Sequence, residues 1–456
     1  MYDIIIIGAG TAGISAYKEA IKHTQNILII NQGPWDTTCA RVGCMPSKVL
    51  ISSANRMYDI QHADEVALST SQDIDTSQVM QHVRKLRDQF TAATIRDVER
   101  WDAAHKISAQ AKFIDANTVE ADGQHFQAKS FILAVGSTPN YDTNWKNILQ
   151  DRLITSDDIF ELPELPKSMA VIGSGVIAIE LAQAMTRLGV KTTLFARSAK
   201  VGALTSPELQ QLAQDVLSQE LDIRFKVLPE NVRLNNNKVH LEFTQNDQEH
   251  TLEVDYVLSA TGRRSLLSHL QLEQVDPAFA DLAHLPIDDA TKQLGSYPIF
   301  VIGDAHTLNP IQHIAATDGR NIIQNCLNFP NVQAIQVPSP LAIVFSSPEM
   351  AIAGLSHKQL LQNHKLFVTG KVSFERQGRA TVLGKNKGAV EVYVDLKSRK
   401  LLGAELFVES AEHMAHMLSW IIAEGISIDE ILAKPFYHPT LEEGLRSALV
   451  HALKQL

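Results

Sequence analysis

The chain has 456 residues, 45% of them apolar and 20% charged, the balance of a soluble globular protein too long for one hydrophobic core; about two to four domains are expected. A formal net charge of −10, an isoelectric point near 5.9 and no dense lysine or arginine run argue against a nucleic-acid or membrane-surface partner. Three cysteines exclude a structural disulfide framework.

Residues 3–30, DIIIIGAGTAGISAYKEAIKHTQNILII, read as a buried strand, a glycine-rich turn, an Ala-rich helix and a second strand. A continuous apolar run followed by Gly8, Gly10 and Gly13 is the pattern of a parallel strand in a βαβ unit. No targeting signal is expected before it, and the run is far too short to span a bilayer; the expected location is the cytoplasm. A polar helix follows over roughly 78–102, and then SFILAVGSTPN, a strand ending at Gly136. Pro163 and Pro166 mark a linker, after which the first pattern recurs at 170–196 as AVIGSGVIAIELAQAMTRLGVKTTLFA. YVLSATGRR ends at Gly262, and PIFVIGDA closes another strand at Gly303 and Asp304. From about 340, GAVEVYVDL and KLLGAELFV, joined by KSRK, read as antiparallel strands, with helices near 410–424 and 441–454. The predicted class is α/β: two doubly wound, Rossmann-like dinucleotide-binding domains and a C-terminal α+β domain. The expected boundaries are 1–150, 151–265, a return to the first domain over 266–335, and 336–456.

In G-x-G-x-x-G the first glycine makes the tight turn and the second admits a pyrophosphate to the backbone. The third lets helix and strand pack closely, with phosphate on the helix N-terminus. Gly8, Gly10 and Gly13 fill all three positions; Gly173, Gly175 and Ala178 repeat them. After the first unit Asn31 stands where an acid usually holds a ribose hydroxyl, so the charge-assisted bond is lost. After the second, Ala196 and Arg197 stand at the strand end, with Lys200 nearby. An acid there repels a 2′-phosphate and Arg197 binds one, so the residues favour NADPH over NADH.

Cys39 and Cys44 lie in WDTTCARVGCMPSK. They lack the second ligand pair of a zinc site. Residues five apart on an ideal helix have Cα atoms roughly 8–9 Å apart, and a disulfide spans about 4.4–6.8 Å. A bridge therefore requires a distorted segment, for which Gly43 supplies latitude and Pro46 suits a first helical turn. Such a pair exchanges readily. Cys326 reads as a buried hydrophobe. His413, Met414, His416 and Met417 sit at helical spacing and are expected to line a helix face at a subunit contact rather than to bind metal.

CARVGCMPSK resembles the active-site segment of the class I pyridine nucleotide–disulfide oxidoreductases. The resemblance extends through both fingerprints, AVGSTP, ATGRR, VIGDA and HPTLEE, and so covers essentially the whole chain. It implies FAD in the first domain and NAD(P)H in 151–265. Cys39 is then the interchange thiol and Cys44 the thiol against the flavin. Lys48 approaches the flavin and pairs with Glu180. Asp304 binds the ribityl chain, and His313 to Ala316, including Ala315, face the pyrimidine end. DTT at 36–38 replaces the usual Gly-Gly-Thr, with Thr38 retained on the flavin side; Gly136 and Gly262 belong to the nucleotide contacts. His438, before Pro439 as a favoured first helical residue, serves as the base, with Glu443 polarising it. In that family this dyad reaches across from a second subunit, so a homodimer is implied.

No cysteine pair follows Cys326, which separates the chain from mercuric reductases. HPTLEE and GVIAIE resemble dihydrolipoamide dehydrogenase, whereas Ala178 and Arg197 are closer to NADPH-using glutathione reductases. The favoured reading is a dihydrolipoamide dehydrogenase-like enzyme whose substrate is a small or protein-bound disulfide. The motifs leave open a glutathione reductase-like enzyme, a metal or quinone reductase, and a flavin-bearing redox sensor without turnover; the last has no need of the His438 base.

Overall fold

The structure is a computed structural model, in which residues 1–71, 73–306 and 311–456 are described. The chain divides into two compact units. The first comprises Met1–Pro46, Arg84–Asn140 and Arg263–Pro338; the second comprises Ser47–Val83, Tyr141–Gly262 and Ser339–Leu456.

In the first unit, strand Tyr2–Ile7 pairs in parallel with Ile27–Ile30 on one side and Gln124–Leu133 on the other. Alternation along the strands splits the isoleucines between two cores. Ile5, Ile7, Leu28 and Ile30 pack on one face; Ile4, Ile6, Ile27 and Ile29 pack on the opposite one. Burial on both faces explains why the run is uninterrupted by polar residues. Late in the chain, Ile299–Val301 returns to this sheet, in parallel with Gln124–Leu133. Helix Thr11–Ala20 packs on helix Gln312–Asn321, where Gly319 leaves room for the Ala12 carbonyl.

The second unit holds a five-stranded parallel sheet ordered Asp222–Phe225, Lys191–Ala196, Ser168–Ile172, Tyr256–Ser259 and Leu153–Thr155. Helix Val176–Arg187 connects two of its strands, the same βαβ arrangement as in the first unit. A separate antiparallel sheet runs Leu341–Val344, Glu349–Gly354, Leu401–Val408, Ala389–Asp395 and Phe367–Ser373. Met414, Ala415 and Leu418 of helix Ala411–Ala423, with Leu445, Ala448 and Leu449 of helix Glu442–Leu453, join that sheet's core. Met414 therefore does not share an outer face with His413 and His416, which are exposed, because the helical period carries it inward. Among the described residues no helix is long and apolar enough to cross a membrane, and no group of three or more His, Cys, Asp or Glu side chains is placed to hold a metal ion.

Candidate active site

Both glycine turns carry the geometry of a phosphate cradle. Gly8 has φ +103° and Gly173 φ +122°, a region that side chains rarely enter. A Cβ on Gly8 would strike the Ala134 carbonyl, and one on Gly173 the Ala260 carbonyl. Gly10 and Gly175 stand at the N-caps of helices Thr11–Ala20 and Val176–Arg187, and a Cβ on either would meet nothing within 4 Å. Neither helix has a side-chain cap or an acid in its first turn. Open space beside uncapped N–H groups at the positive end of a helix suits a pyrophosphate, so both turns fit a dinucleotide. Gly13 lies against the Gly8 carbonyl, and in the second turn the buried Ala178 takes the corresponding place.

Asn31 is buried, and its side chain is engaged by backbone. Oδ1 accepts from Ala9 N–H at 3.0 Å, and Nδ2 donates to the Gly33 and Pro34 carbonyls at 2.8 and 3.0 Å. It thus braces the glycine turn against the loop after Ile27–Ile30. Asp304 accepts from Ser137 Oγ at 3.1 Å, and Arg263 donates to the same hydroxyl at 2.9 Å. Burial pushes the Asp304 carboxyl above the usual carboxylate range, while Ser137 and Arg263 oppose the shift. Gly136 precedes strand Ser137–Pro139 and Gly262 precedes Arg263–Ser265; these two strands pair antiparallel. His313, half-buried, and Ala315, buried, lie in the first turn of helix Gln312–Asn321.

The cysteine segment breaks between two helices. Cys39 is half-buried within Thr38–Arg41, and exposed Cys44 opens Cys44–Gln61. Between them Val42 leaves helical geometry at φ −135°, ψ 8°, and Gly43 passes so near that a Cβ would lie 3.1 Å from the Cys39 Cα. The segment is distorted at the point where helix geometry opposes a bridge. Thr37 caps the first short helix by accepting from Ala40 N–H, which leaves Thr38 exposed at its start. Asp36 is buried and bonds Arg41 Nε at 3.0 Å, a fixed charge pair where a glycine is usual.

Lys48, in the first turns of Cys44–Gln61, donates from Nζ to Glu180 Oε2 at 2.8 Å. The Glu180 side chain is 5% exposed, so the carboxylate is held in a dry setting with its charge paired. Arg197 and Lys200 follow strand Lys191–Ala196 and are both exposed.

His438 Nδ1 lies 3.0 and 3.1 Å from the two oxygens of Glu443. That bond, followed by one from Thr440 N–H at 3.1 Å, holds the Glu443 carboxyl below its usual range. The imidazole is 81% exposed, and with Nδ1 engaged, Nε2 is the nitrogen left for proton transfer. Pro439 does not open the helix as the sequence suggested. The helix begins at Glu442, and His438–Pro439 is a cis peptide within a turn that Thr440 ties together. Glu443 accepts the Thr440 N–H just ahead of the helix, and Leu441, not Pro439, stands at its N-cap.

Sequence reading missed Phe345, which touches both members of the Lys48–Glu180 pair, and Gln183, Asn55 and Arg187 farther along the same two helices. Phe345 N–H donates to Glu180 Oε1 at 2.9 Å, and Arg187 donates to Asn55 Oδ1 at 2.6 Å. The one signal available was a polar stripe, Glu180, Gln183 and Arg187, at three- and four-residue spacing on an otherwise apolar, buried helix.

The sequence matches the family described as pyridine nucleotide-disulphide oxidoreductase over residues 2–320, and that family's dimerisation domain over 341–449. A dihydrolipoyl dehydrogenase of Geobacillus stearothermophilus is 27% identical over 459 residues, spanning 99% of this chain and 96% of the relative. A mercuric reductase of Staphylococcus aureus is 27% identical over 450 residues, spanning 98% and 82%. Among solved structures, LpdA from Mycobacterium tuberculosis superposes with a TM-score of 0.85 at 20% identity over 99% of both chains. The Cu(II) complex of the HOCl-induced flavoprotein disulfide reductase RclA from Escherichia coli gives 0.80 at 19% identity, over 98% of this chain and 99% of that one.

Proposed function

Since this chain belongs to the pyridine nucleotide-disulphide oxidoreductases, a family of flavin-dependent enzymes, we propose that it reduces a disulfide of the lipoamide class at Cys39 and Cys44, with NADPH as the electron source. Residues 1–150 and 266–335 hold the flavin in this reading, 151–265 the nicotinamide nucleotide, and 336–456 the contact with a second copy. Bound FAD supplies the two-electron relay between nicotinamide and thiols.

The chain's own residues carry the disulfide chemistry. Cys39 Sγ, as thiolate, attacks one substrate sulfur; the substrate S–S bond breaks and the leaving thiol takes a proton from His438 Nε2 of a second copy. Cys44 Sγ then attacks Cys39 Sγ, the Cys44 thiol proton passes to the departing second sulfur, and the Cys39–Cys44 bond closes. One substrate disulfide is reduced and two protein thiols are oxidised. Glu443 holds the imidazole through Nδ1, so Nε2 stays aimed at the exchange. Lys48, held by Glu180, would stabilise negative charge on a flavin reduced beside it. Arg197 and Lys200 favour NADPH because no acid stands at that strand end to repel a 2′-phosphate.

The observation that carries this reading is the broken helix at Val42–Gly43, which sets a half-buried Cys39 before an exposed Cys44 at a helix start. The test is steady-state turnover of the FAD-loaded enzyme with NADPH against lipoamide, glutathione disulfide and quinones. Cys39→Ser and Cys44→Ser are each expected to lose disulfide turnover on the order of a thousandfold. Disulfide turnover that survives Cys44→Ser overturns the relay, and quinone turnover without lipoamide turnover overturns the substrate class.

A further inference from the structure

The Lys48–Glu180 pair has a third member that no motif marks. Phe345 follows strand Leu341–Val344, and its N–H donates to Glu180 Oε1 while Lys48 Nζ holds Oε2. Lys48 Nζ also lies 4.6 Å from the centroid of the Phe345 ring. The carboxylate is thus shared between a cation and an amide, and the cation between a carboxylate and a π face. Two residues on, Ser347 N–H donates to Gln183 Oε1 and its carbonyl accepts from Gln183 Nε2, both at 2.8 Å. Residues 345–347 are therefore pinned to helix Val176–Arg187 at two points about one turn apart, which fixes the backbone that carries the ring beside the amine. The Lys48 side chain is 31% exposed. An ammonium on a four-carbon stem with that much solvent around it wanders unless it is held from more than one side.

We infer that Phe345 is a positioning residue: its ring and its amide together set where the Lys48 ammonium sits, and through it the stabilisation of reduced flavin. This rests on the reading of Lys48 as the cation beside the flavin. The two contributions separate cleanly, because every residue except proline supplies the N–H and only an aromatic supplies the π face.

The test is equilibrium of the FAD-loaded enzyme with a reference dye, read as the ratio of reduced to oxidised flavin at the poise that half-reduces the wild type. Phe345→Leu keeps the amide and loses the ring, Phe345→Met keeps the bulk as well, and Phe345→Tyr keeps the ring. The Leu and Met variants are expected to lower the ratio about threefold to tenfold, tenfold being about 30 mV for a two-electron couple. Phe345→Tyr stays near the wild type, and Lys48→Met falls further than either. Lys48→Met combined with Phe345→Leu matches Lys48→Met alone, because the ring acts through the amine. An unchanged ratio in the Leu and Met variants, with Lys48→Met lowered, sinks the positioning role and leaves the Lys48 reading standing. An unchanged ratio in Lys48→Met removes that reading and the inference with it. Loss of folding in both the Leu and Met variants makes the ring a packing element and also overturns the inference.

Discussion

Arg187 donates to Asn55 Oδ1 at 2.6 Å across 132 positions of sequence, the same separation that divides Lys48 from Glu180. Helices Cys44–Gln61 and Val176–Arg187 therefore run side by side in register, with a second rung seven residues beyond the first, about 10 Å along the axis. The second rung is braced by Glu220, whose carboxylate meets Arg187 Nε at 2.5 Å and Nη2 at 3.0 Å, and by the Tyr58 ring 3.9 Å from the guanidinium. The Arg187 side chain is 3% exposed. Arg187→Met is expected to cost about 2–4 kcal/mol, since it leaves the largely buried Glu220 with no cation and only the neutral Gln183 amide. Urea unfolding of the variant beside the wild type measures it, and a change under 1 kcal/mol would show the rung to be incidental.

The first glycine turn makes a sharp contrast between neighbours. Gly13→Ala drives a methyl into the Gly8 carbonyl, so loss of stability is expected along with loss of flavin. Gly10→Ala meets no protein atom within 4 Å, so the apoprotein should unfold within a degree or two of wild type while FAD affinity falls about tenfold or more. Calorimetry of apoprotein and flavin titration decide the point. Retained FAD affinity in Gly10→Ala removes the assignment of that space to a pyrophosphate.

His438 and Glu443 are expected to act as a unit in turnover. His438→Gln should lower kcat on the order of 100-fold to 10,000-fold, and Glu443→Gln by a smaller factor, because the imidazole loses its anchor but not its nitrogen. The Glu443 carboxyl lies below its usual value of 4.5 through its bond to His438, so protonation of Glu443 should not limit activity above about pH 4.5. A pH–rate profile that falls with a carboxylate-like step above that value in the wild type, and loses it in Glu443→Gln, contradicts the arrangement.

The proposed preference for NADPH rests on Arg197. Arg197→Asp introduces the acid that favours a ribose 2′-hydroxyl, and kcat/KM for NADPH relative to NADH is expected to fall about 10-fold to 100-fold. An unchanged ratio would mean that Arg197 is a solvated surface charge.

Glu349 predicts a pH dependence of stability. Burial raises its pKa to about 7 against an ordinary 4.5; the amide of Glu412 opposes that, and the carboxylates of Glu412 and Glu409 reinforce it. Because the folded value is the higher one, its contribution to stability is fully present below 4.5 and is lost as pH rises through 7. Glu349→Gln never ionises and retains an acceptor for the Glu412 N–H, so it should flatten the decline and exceed the wild type at about pH 8 by about 1–3 kcal/mol. Equal pH slopes for the two proteins would refute it.

Much of this molecule is local in origin. A strand with isoleucines buried on both faces, a turn that only Gly8 can make, and a helix free of capping residues all lie within a short stretch of chain. Their physics is settled by near neighbours. The same holds for the second turn at Gly173 and for the break at Gly43, which the five-residue cysteine spacing demands by itself if the two sulfurs are to meet. What lay beyond reach mostly involves partners more than a hundred positions apart. Nothing in the motif around Lys48 points to Phe345, nor anything near Asn55 to Arg187, because packing of one helix against another chooses those partners. Asn31 shows the difference at a single residue. Its place at the strand end is plain from the chain order, but the three backbone groups that claim its amide come together only once the loop has folded over it. Pro439 shows it as well: propensity places it in the helix, and in the folded chain it lies in a turn before a helix that starts at Glu442. Local sterics and periodicity act through covalent neighbours and are written in order along the chain. The direction in which a side chain's charge or ring is finally spent depends on which surfaces meet, and folding alone decides that.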